Sequence, residues 1–403
     1  MRALLVTAGS RGDIEPFLAL ARRLRRQGHD AVVALPDASG ADASDLETLS
    51  LGADFTEVIR TQGVSPIAAM RSLRTVIRPL MRAVLVGAAR AVHEVGPDVV
   101  VSHPKVLSAA MAADTLGIPH VVAELVPAMT PTREFPAAGT VSVDLGPLNR
   151  LTYAATAAGE RMFSAELDAA AAELGLSRRP RHHSAAAAHL VPVSAGILSR
   201  PHDWPATTVM TGPWTTASPT PSPDDPEITE FLDAGDVIYA GFGSMAAAGA
   251  SQRGRAVVDA ARDLGGRVLV ATGLGGLAVD ADMVGPDVLV REAVDHRTIL
   301  PRVRAAIHHG GVGTVHAAVA AGVPSVVVPF IADQPFWGAR LAVEHLGPTP
   351  IRASRLTTRR ARHALASLDT YRAAVGAAAE RMLAEDGTGK AVDVLEGIVG
   401  TGR

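Results

Sequence analysis

The 403-residue chain contains no cysteine. Disulfide bridges, thiolate zinc sites and a cysteine nucleophile are thereby excluded. Lysine is nearly absent as well: of 38 basic residues only Lys105 and Lys390 are lysine, and the rest are arginine. With the abundant Ala, Gly and Val, this bias is the imprint of GC-rich coding and carries no chemistry of its own. The formal net charge is only −3, so there is no electrostatic case for a nucleic-acid partner. No apolar run approaches the ~20 residues of a membrane span. The first such run, in MRALLVTAGS, is broken by Gly-Ser-Arg-Gly before it reaches the length of a secretion signal. The expectation is a cytoplasmic protein of two or three domains.

What is present is a repeated alternation of short aliphatic runs and helical patterns. Residues 2–8 read as a buried strand that ends in GSRGDIEP. Phe17, Leu18, Leu20, Ala21 and Leu24 then fall near one helix face, with Arg22, Arg23, Arg25 and Arg26 mostly on the other. Gly28 stops that helix, and DAVVALP begins a second strand. Strand, glycine turn, helix and strand in succession imply a parallel sheet. Further strands are predicted at 97–104, in IPHVVAEL and in AHLVPVSA, the last clear strand of this half. Helices are predicted over 106–116 and 151–174, with a long loop over 126–150 between them.

Residues 211–226 contain five prolines with Ser, Thr and Asp, which marks a linker. The alternation then restarts with DVIYAGFGSM, a helix over 252–264, GRVLVATG, PDVLVREAV and RAAIHHGG. A helix from about Thr314, the run PSVVVPF, a helix from Gln334 and a helical tail from about Tyr371 complete it. Each half opens with a strand entering a Gly-Ser turn, Gly9-Ser10 and Gly243-Ser244. The fold class is therefore α/β. Two Rossmann-like, doubly wound parallel-sheet domains, 1–210 and 227–385, face each other across a cleft, and a terminal segment follows at 386–403. In such sheets ligands bind beyond the carboxyl ends of the strands.

AAIHHGGVGTVHAA is a strand, a glycine turn and a helix start. The turn and the first helical turn present unpaired N–H groups and a positive dipole end, which suits a phosphate. Glycines at 310, 311 and 313 let the backbone approach closely, while Thr314 and His309 offer side-chain donors. A plain turn before a helix explains the same glycines without a ligand. Asp333-Gln334 follows the next strand and suits vicinal sugar hydroxyls; Asp333 as a cap for the following helix is the alternative. A metal on His308, His309 and His316 is disfavoured, because adjacent strand residues point to opposite faces and no carboxylate completes a site.

HHGGVGT together with GVPSVVVPFIADQPFWGAR resembles the donor-site signature of GT-B nucleotide-sugar glycosyltransferases. The similarity is to the branch of sterol glucosyltransferases and of glycopeptide and polyketide antibiotic glycosyltransferases. GSRGDIEP, TPTREFP, TGPW and GFGSM are similar to the same group and occur in the expected order. The resemblance implies that the C-terminal domain binds a nucleotide sugar, the N-terminal domain an acceptor, and that the last helix crosses back onto the N-terminal domain. It places His309, Gly310, Gly311, Val312, Gly313 and Thr314 at the diphosphate, with Ser10 and Ser244 beside them. It places Val294 and His296 at the base, and Asp333 and Gln334 on the donor sugar. Asp13 matches the general base, although Asp before Ile-Glu-Pro is also a good helix cap.

The implied reaction is inverting and metal-independent. It moves a sugar from a UDP or dTDP donor to a hydroxyl of a small hydrophobic acceptor, and no cofactor is expected. His103, Trp337, Thr130 and Phe135 are candidate acceptor contacts, His103 also an alternative base, and the segments 60–80 and 126–150 are candidate acceptor walls. A sugar-nucleotide epimerase of the same architecture, a non-catalytic nucleotide-sugar binding partner and a sterol or lipid glucosyltransferase are the competing readings.

Overall fold

A computed structural model describes residues 1–38, 40–55, 72–180, 184–215, 225–243, 245 and 247–401. Ser244, His182, His183, most of the proline-rich linker and much of the 60–80 segment lie outside the described residues.

The first sheet contains β1 (Arg2–Val6), β2 (Asp30–Asp37), β3 (Glu47–Asp54), β4 (Val99–Ser102), β5 (His120–Ala123), β6 (Ala188–Val191) and β7 (Thr208–Met210). The order is β3-β2-β1-β4-β5-β6-β7, and neighbouring strands run parallel. The second sheet contains β8 (Val237–Gly241), β9 (Arg267–Ala271), β10 (Val288–Arg291), β11 (Ala305–His308) and β12 (Ser325–Val327). Its order is β10-β9-β8-β11-β12, again parallel. Both sheets are buried on both faces, as continuous aliphatic strands require. Ala3 and Leu5 join one core cluster while Leu4 and Val6 join the cluster on the opposite face. Ile238 and Ala240 are divided from Val237 and Tyr239 in the same way.

Two strands escape the sequence reading. β3 is an edge strand with only Leu51 and Ala53 buried, so its apolar alternation is weak. β7 has three residues, below the length at which a pattern is visible. The helix expected over 151–174 is divided into Asn149–Thr152, Ala154–Met162 and Ser164–Glu173. At the first break the buried Tyr153 turns inward and its hydroxyl donates to the Phe135 carbonyl at 3.2 Å.

Helix α1 (Arg11–Arg26) starts directly after the β1 turn, earlier than its apolar stripe. Pro16 lies in its second turn and forfeits only the bond to the Gly12 carbonyl. The remaining helices that position the site are α2 (Ala250–Arg262), α3 (Val312–Ala320), α4 (Gln334–Val343), α5 (Arg372–Leu383) and α6 (Gly387–Thr401). A mixed cluster joins the lobes: Phe135, Val193 and Trp204 of the first pack with Val315, Val319, Phe336 and Trp337 of the second. Phe135 and Phe336 meet edge to face at 5.5 Å. α6 returns to the first lobe, where Ala391, Val392 and Leu395 share a cluster with Leu20, Ala21 and Leu24. Lys390 Nζ ties it there by donating to the Met210 carbonyl at 2.6 Å. Among the described residues no helix is long and apolar enough to cross a membrane.

Candidate active site between the two switch points

In each sheet the strand order reverses between two central strands, and that is where open α/β sheets bind ligands. In the first the switch lies between β1 and β4, where Val6 pairs with Ser102. The chain leaves these strands as Gly9–Asp13 and as His103–Lys105, so the two turns lie side by side. In the second the switch lies between β8 and β11, where Gly241 pairs with His308. Gly243 and His309 follow. A Cβ on Gly243 would stand 3.1 Å from His309 Cε1, and one on Gly311 would stand 2.6 Å from His309 Nε2. The ring therefore fits only because both neighbours are glycine.

Ser10, not Asp13, is the N-cap of α1; Asp13 is the third helical residue. Its Oδ2 accepts the Ser10 N–H at 2.7 Å and the Ser10 hydroxyl at 3.1 Å. Its Oδ1 accepts Lys105 Nζ at 2.8 Å, with His103 Nε2 at 3.3 Å. Burial alone would raise this carboxyl, but the Lys105 ammonium, followed by His103, holds it far below the usual carboxylate range. Gly9, at φ +133, is required here, since its Cβ would fall within 2.1 Å of Asp13 Oδ2. His103 is buried, which pushes its pKa down and keeps it neutral. Its Nδ1 accepts the Lys105 N–H at 3.0 Å, which puts the ring proton on Nε2, facing Asp13. The basic nitrogen of His103 is thus already occupied, and its role as an alternative base loses its footing.

In the second lobe α3 starts at Val312, two residues before the expected start, and its N-cap is Gly311. A glycine N-cap has no side chain to occupy the first-turn amides, which leaves those of Val312, Gly313 and Thr314 for a ligand. Burial pushes His309 down to about 4, so it is neutral near pH 7. The Gly241 backbone favours its charged form slightly but does not complete a hydrogen bond with the buried Nδ1. Val294 is half-buried, and among the described residues its N–H and C=O have no protein partner. His296 Nε2 lies 2.8 Å from the hydroxyl of the buried Tyr239.

Asp333 occupies the N-cap position of α4, but its side chain makes no cap bond. Instead Oδ2 accepts the Trp337 indole N–H at 2.8 Å. Ala332, at φ +55, turns the chain immediately before it; a left-handed conformation is uncommon for a residue other than glycine and marks a constrained loop. Burial pushes the Asp333 carboxyl up, and Asp13 adds to this while Lys105 opposes it. The two carboxylates and the lysine therefore share one field across the crevice.

Four expectations change with burial. Trp337 is fully buried between the lobes and acts on the crevice only by holding Asp333. Gln334 is buried too, its Oε1 accepting the Phe330 and Ile331 N–H groups at 2.8 and 3.1 Å, so its carbonyl is not offered to a sugar. Thr130 is buried and donates to Glu124 Oε1 at 2.5 Å. Phe135 belongs to the inter-lobe core. Neither residue lines an acceptor surface, because TPTREFP clamps the first lobe internally, with Thr132 Oγ1 donating to Asp203 at 2.5 Å. No group of three or more potential metal-ligating side chains converges among the described residues. Arg253 had not been anticipated. It is buried, and its guanidinium donates to the Ala247, Ala248 and Gly276 carbonyls, bracing the loop after β8.

Comparison with known proteins agrees with this geometry. Residues 3–130 match the glycosyltransferase family 28 N-terminal domain. Residues 255–396 match the C-terminal domain of erythromycin biosynthesis protein CIII-like proteins. The chain is 33% identical over 380 residues to O-mycaminosyltylonolide 6-deoxyallosyltransferase of Streptomyces fradiae, covering 88% of this chain and 87% of that one. It is 28% identical over 432 residues to a sterol 3-beta-glucosyltransferase of Arabidopsis thaliana, covering 97% of this chain and 64% of that one. The crystal structure of a kitacinnamycin glycotransferase superposes with a TM-score of 0.74 at 19% identity, over 98% of both chains. The epimerase reading finds no support in these matches. Two facing open sheets, each half matched in the order the sequence presents it, make the chain an enzyme of the GT-B glycosyltransferase family, in the branch of the antibiotic and sterol transferases.

Proposed function

We propose that the protein is an inverting, metal-independent glycosyltransferase that moves a sugar from a UDP or dTDP donor to a hydroxyl of a small hydrophobic acceptor of the secondary-metabolite aglycone type. One observation supports this reading most: Asp13 and His309 each follow the switch point of their own sheet, and Asp333 of the second lobe is near enough to feel the charges of Asp13 and Lys105 of the first. The diphosphate sits on the amides of Gly311 to Thr314 beside His309. Val294 and His296 border the base, and Asp333 holds sugar hydroxyls. Ser10 flanks the phosphates from the first lobe.

The acceptor oxygen attacks the anomeric carbon as the bond from that carbon to the diphosphate oxygen breaks. The hydroxyl proton passes to the Asp13 carboxylate, and the nucleoside diphosphate leaves with the bonding electron pair. Attack from the face opposite the leaving group inverts the anomeric centre. Fixed N–H dipoles stabilise the leaving charge without reorganising, and joint binding of both substrates removes much of the entropic barrier.

A hydrophobic acceptor is supported at the rim of the crevice. A methyl on Gly139 would come within 4.0 Å of the Ala332 carbonyl carbon. This places the loop bearing exposed Val141, Val143 and Leu145 at the edge of the crevice. The 97% coverage against the plant enzyme favours a sterol as the second reading. A panel of UDP- and dTDP-sugars against polyketide, glycopeptide and sterol acceptors separates the two by product.

His309→Ala is expected to weaken donor binding by roughly ten- to a hundredfold, the worth of one hydrogen bond to a charged group. Calorimetry with UDP- and dTDP-glucose reads this directly, and unchanged affinity for both removes His309 from the site. Transfer is expected to persist in EDTA. A loss that added Mg²⁺ restores would instead assign the leaving charge to a metal.

A further inference from the structure

The Asp13 carboxylate is enclosed by its neighbours. Oδ2 receives the Ser10 N–H and hydroxyl, Oδ1 receives Lys105 Nζ, and His103 Nε2 stands 3.3 Å from Oδ1 in the remaining direction. An incoming hydroxyl reaches such a carboxylate only where one of these groups gives way. The four are not equally free to move. The Ser10 N–H is backbone, and the Ser10 hydroxyl belongs to the residue that caps α1. His103 is buried, and its other nitrogen is held by the Lys105 N–H. The Lys105 side chain is 47% exposed and stands on a flexible four-carbon stem.

The residue type fits that role. In a chain whose basic residues are otherwise arginine, one of two lysines is placed on this carboxylate. The other, Lys390, is a structural tie to the Met210 carbonyl. An arginine fork would grip both oxygens of Asp13, whereas an ammonium is a point charge that can swing away. Asp333, across the crevice, also feels the Lys105 charge, so the displaced ammonium remains within a field of negative groups.

We propose that Lys105 is a positioning residue that occupies Asp13 Oδ1 as a displaceable cation until an acceptor hydroxyl takes its place, keeping the base ionised but idle. The consequence is chemical selectivity: water cannot easily use Asp13 to hydrolyse a bound donor, while an acceptor anchored elsewhere in the site displaces the ammonium. The proposal rests on the assignment of Asp13 as base. The groups facing Asp13 are Ser10 from its own turn, His103 and Lys105 from the β4 turn, and Asp333 from the opposite lobe.

The test uses the full-length protein with Lys105→Met and Lys105→Arg, alone and combined with Asp13→Asn. Acceptor-free hydrolysis of UDP-glucose and dTDP-glucose is followed by nucleotide release. In parallel the Asp13 carboxyl resonance is recorded at pH 7 by ¹³C NMR on aspartate-labelled protein, its signal assigned by its loss in Asp13→Asn. Lys105→Met is expected to raise hydrolysis about tenfold and to move the Asp13 resonance, since the adjacent opposite charge is gone. The donors that remain on the carboxylate keep it ionised at pH 7. Lys105→Arg is expected to leave hydrolysis at or below the wild-type rate. An unmoved Asp13 resonance in Lys105→Met, or hydrolysis that does not rise while the resonance does move, overturns the proposal. If Asp13→Asn retains the turnover of its parent, the base assignment fails instead, and the spectra of the Lys105 variants still report on Lys105.

Discussion

Asp13→Asn is expected to reduce transfer by about 10²–10⁴-fold, the usual contribution of a positioned general base, while leaving donor affinity unchanged. The substitution is close in shape. Its carbonyl oxygen can still accept the Ser10 N–H that Oδ2 accepts now, so the start of α1 is retained. What disappears is the site that takes the acceptor proton. His103 cannot substitute, because its basic Nδ1 already accepts the Lys105 N–H and burial holds its pKa down. Single-turnover transfer with a preloaded donor, together with calorimetric donor binding, checks both halves. Transfer at the wild-type rate would move the base elsewhere; weakened donor binding with normal transfer would place Asp13 in the donor site.

The second large effect is on stability. Acidification from pH 7 towards pH 4 is expected to destabilise the fold well before the carboxylates titrate. Burial pushes His308 down to about 3 and His316 down to about 4. A histidine whose folded pKa is depressed binds fewer protons in the native state than in the unfolded one. Its contribution is fully present above the ordinary value near 6.5 and is lost as pH falls from there through the folded value. The rate of loss is roughly 1.4 kcal/mol per pH unit for each such group.

His316 has a structural reason to resist charging. Its Nε2 accepts the Ser194 N–H of the first lobe at 3.3 Å, while Nδ1 faces the Val312 carbonyl at 3.0 Å. Protonation would turn Nε2 from acceptor to donor and set it against the Ser194 N–H. Asp333 and Glu385 are pushed up by burial and act in the opposite sense, gaining as pH falls. The expectation is therefore a falling urea midpoint between pH 7 and 5, with a shallower slope in His316→Gln, whose amide can still accept from Ser194. A midpoint that stays level or rises over that interval would contradict it.

The alternation of aliphatic runs and glycine turns was enough to place both sheets, because central parallel strands are buried on both faces and cannot hide. β3 and β7 were missed for the complementary reason, one being an edge and the other three residues long. In the site, Asp13, His309 and Asp333 lie around the crevice because each falls between a strand's carboxyl end and the first turn of the helix that follows it, and that position is a local property of the sequence. Burial is not local. Nothing in TPTREFP announces that Thr130 meets Glu124 from the adjoining strand end, or that Phe135 reaches Phe336 of the other lobe. Gln334 and Trp337 follow Asp333, but a helix start turns successive side chains about 100° apart, which points Gln334 inward; Trp337, four residues on, shares the Asp333 face and is covered by the inter-lobe cluster. Lys105 did leave a trace: a rare residue type two places after a strand-end histidine.

The return of α6 to the first lobe has a mechanical consequence. Peptide joins the two halves at two places, once before the helix Pro226–Asp233 and once between α5 and α6. Two bodies connected at a single point can swivel freely; a second point leaves one easy rotation, about the line through both. Arg23 salt-bridged to Asp386 and the Ala195 N–H donating to Glu385 pin one end of that line. Any turning of one lobe on the other is thus confined to a door's motion, resisted by the apolar cluster that Phe135 and Phe336 share.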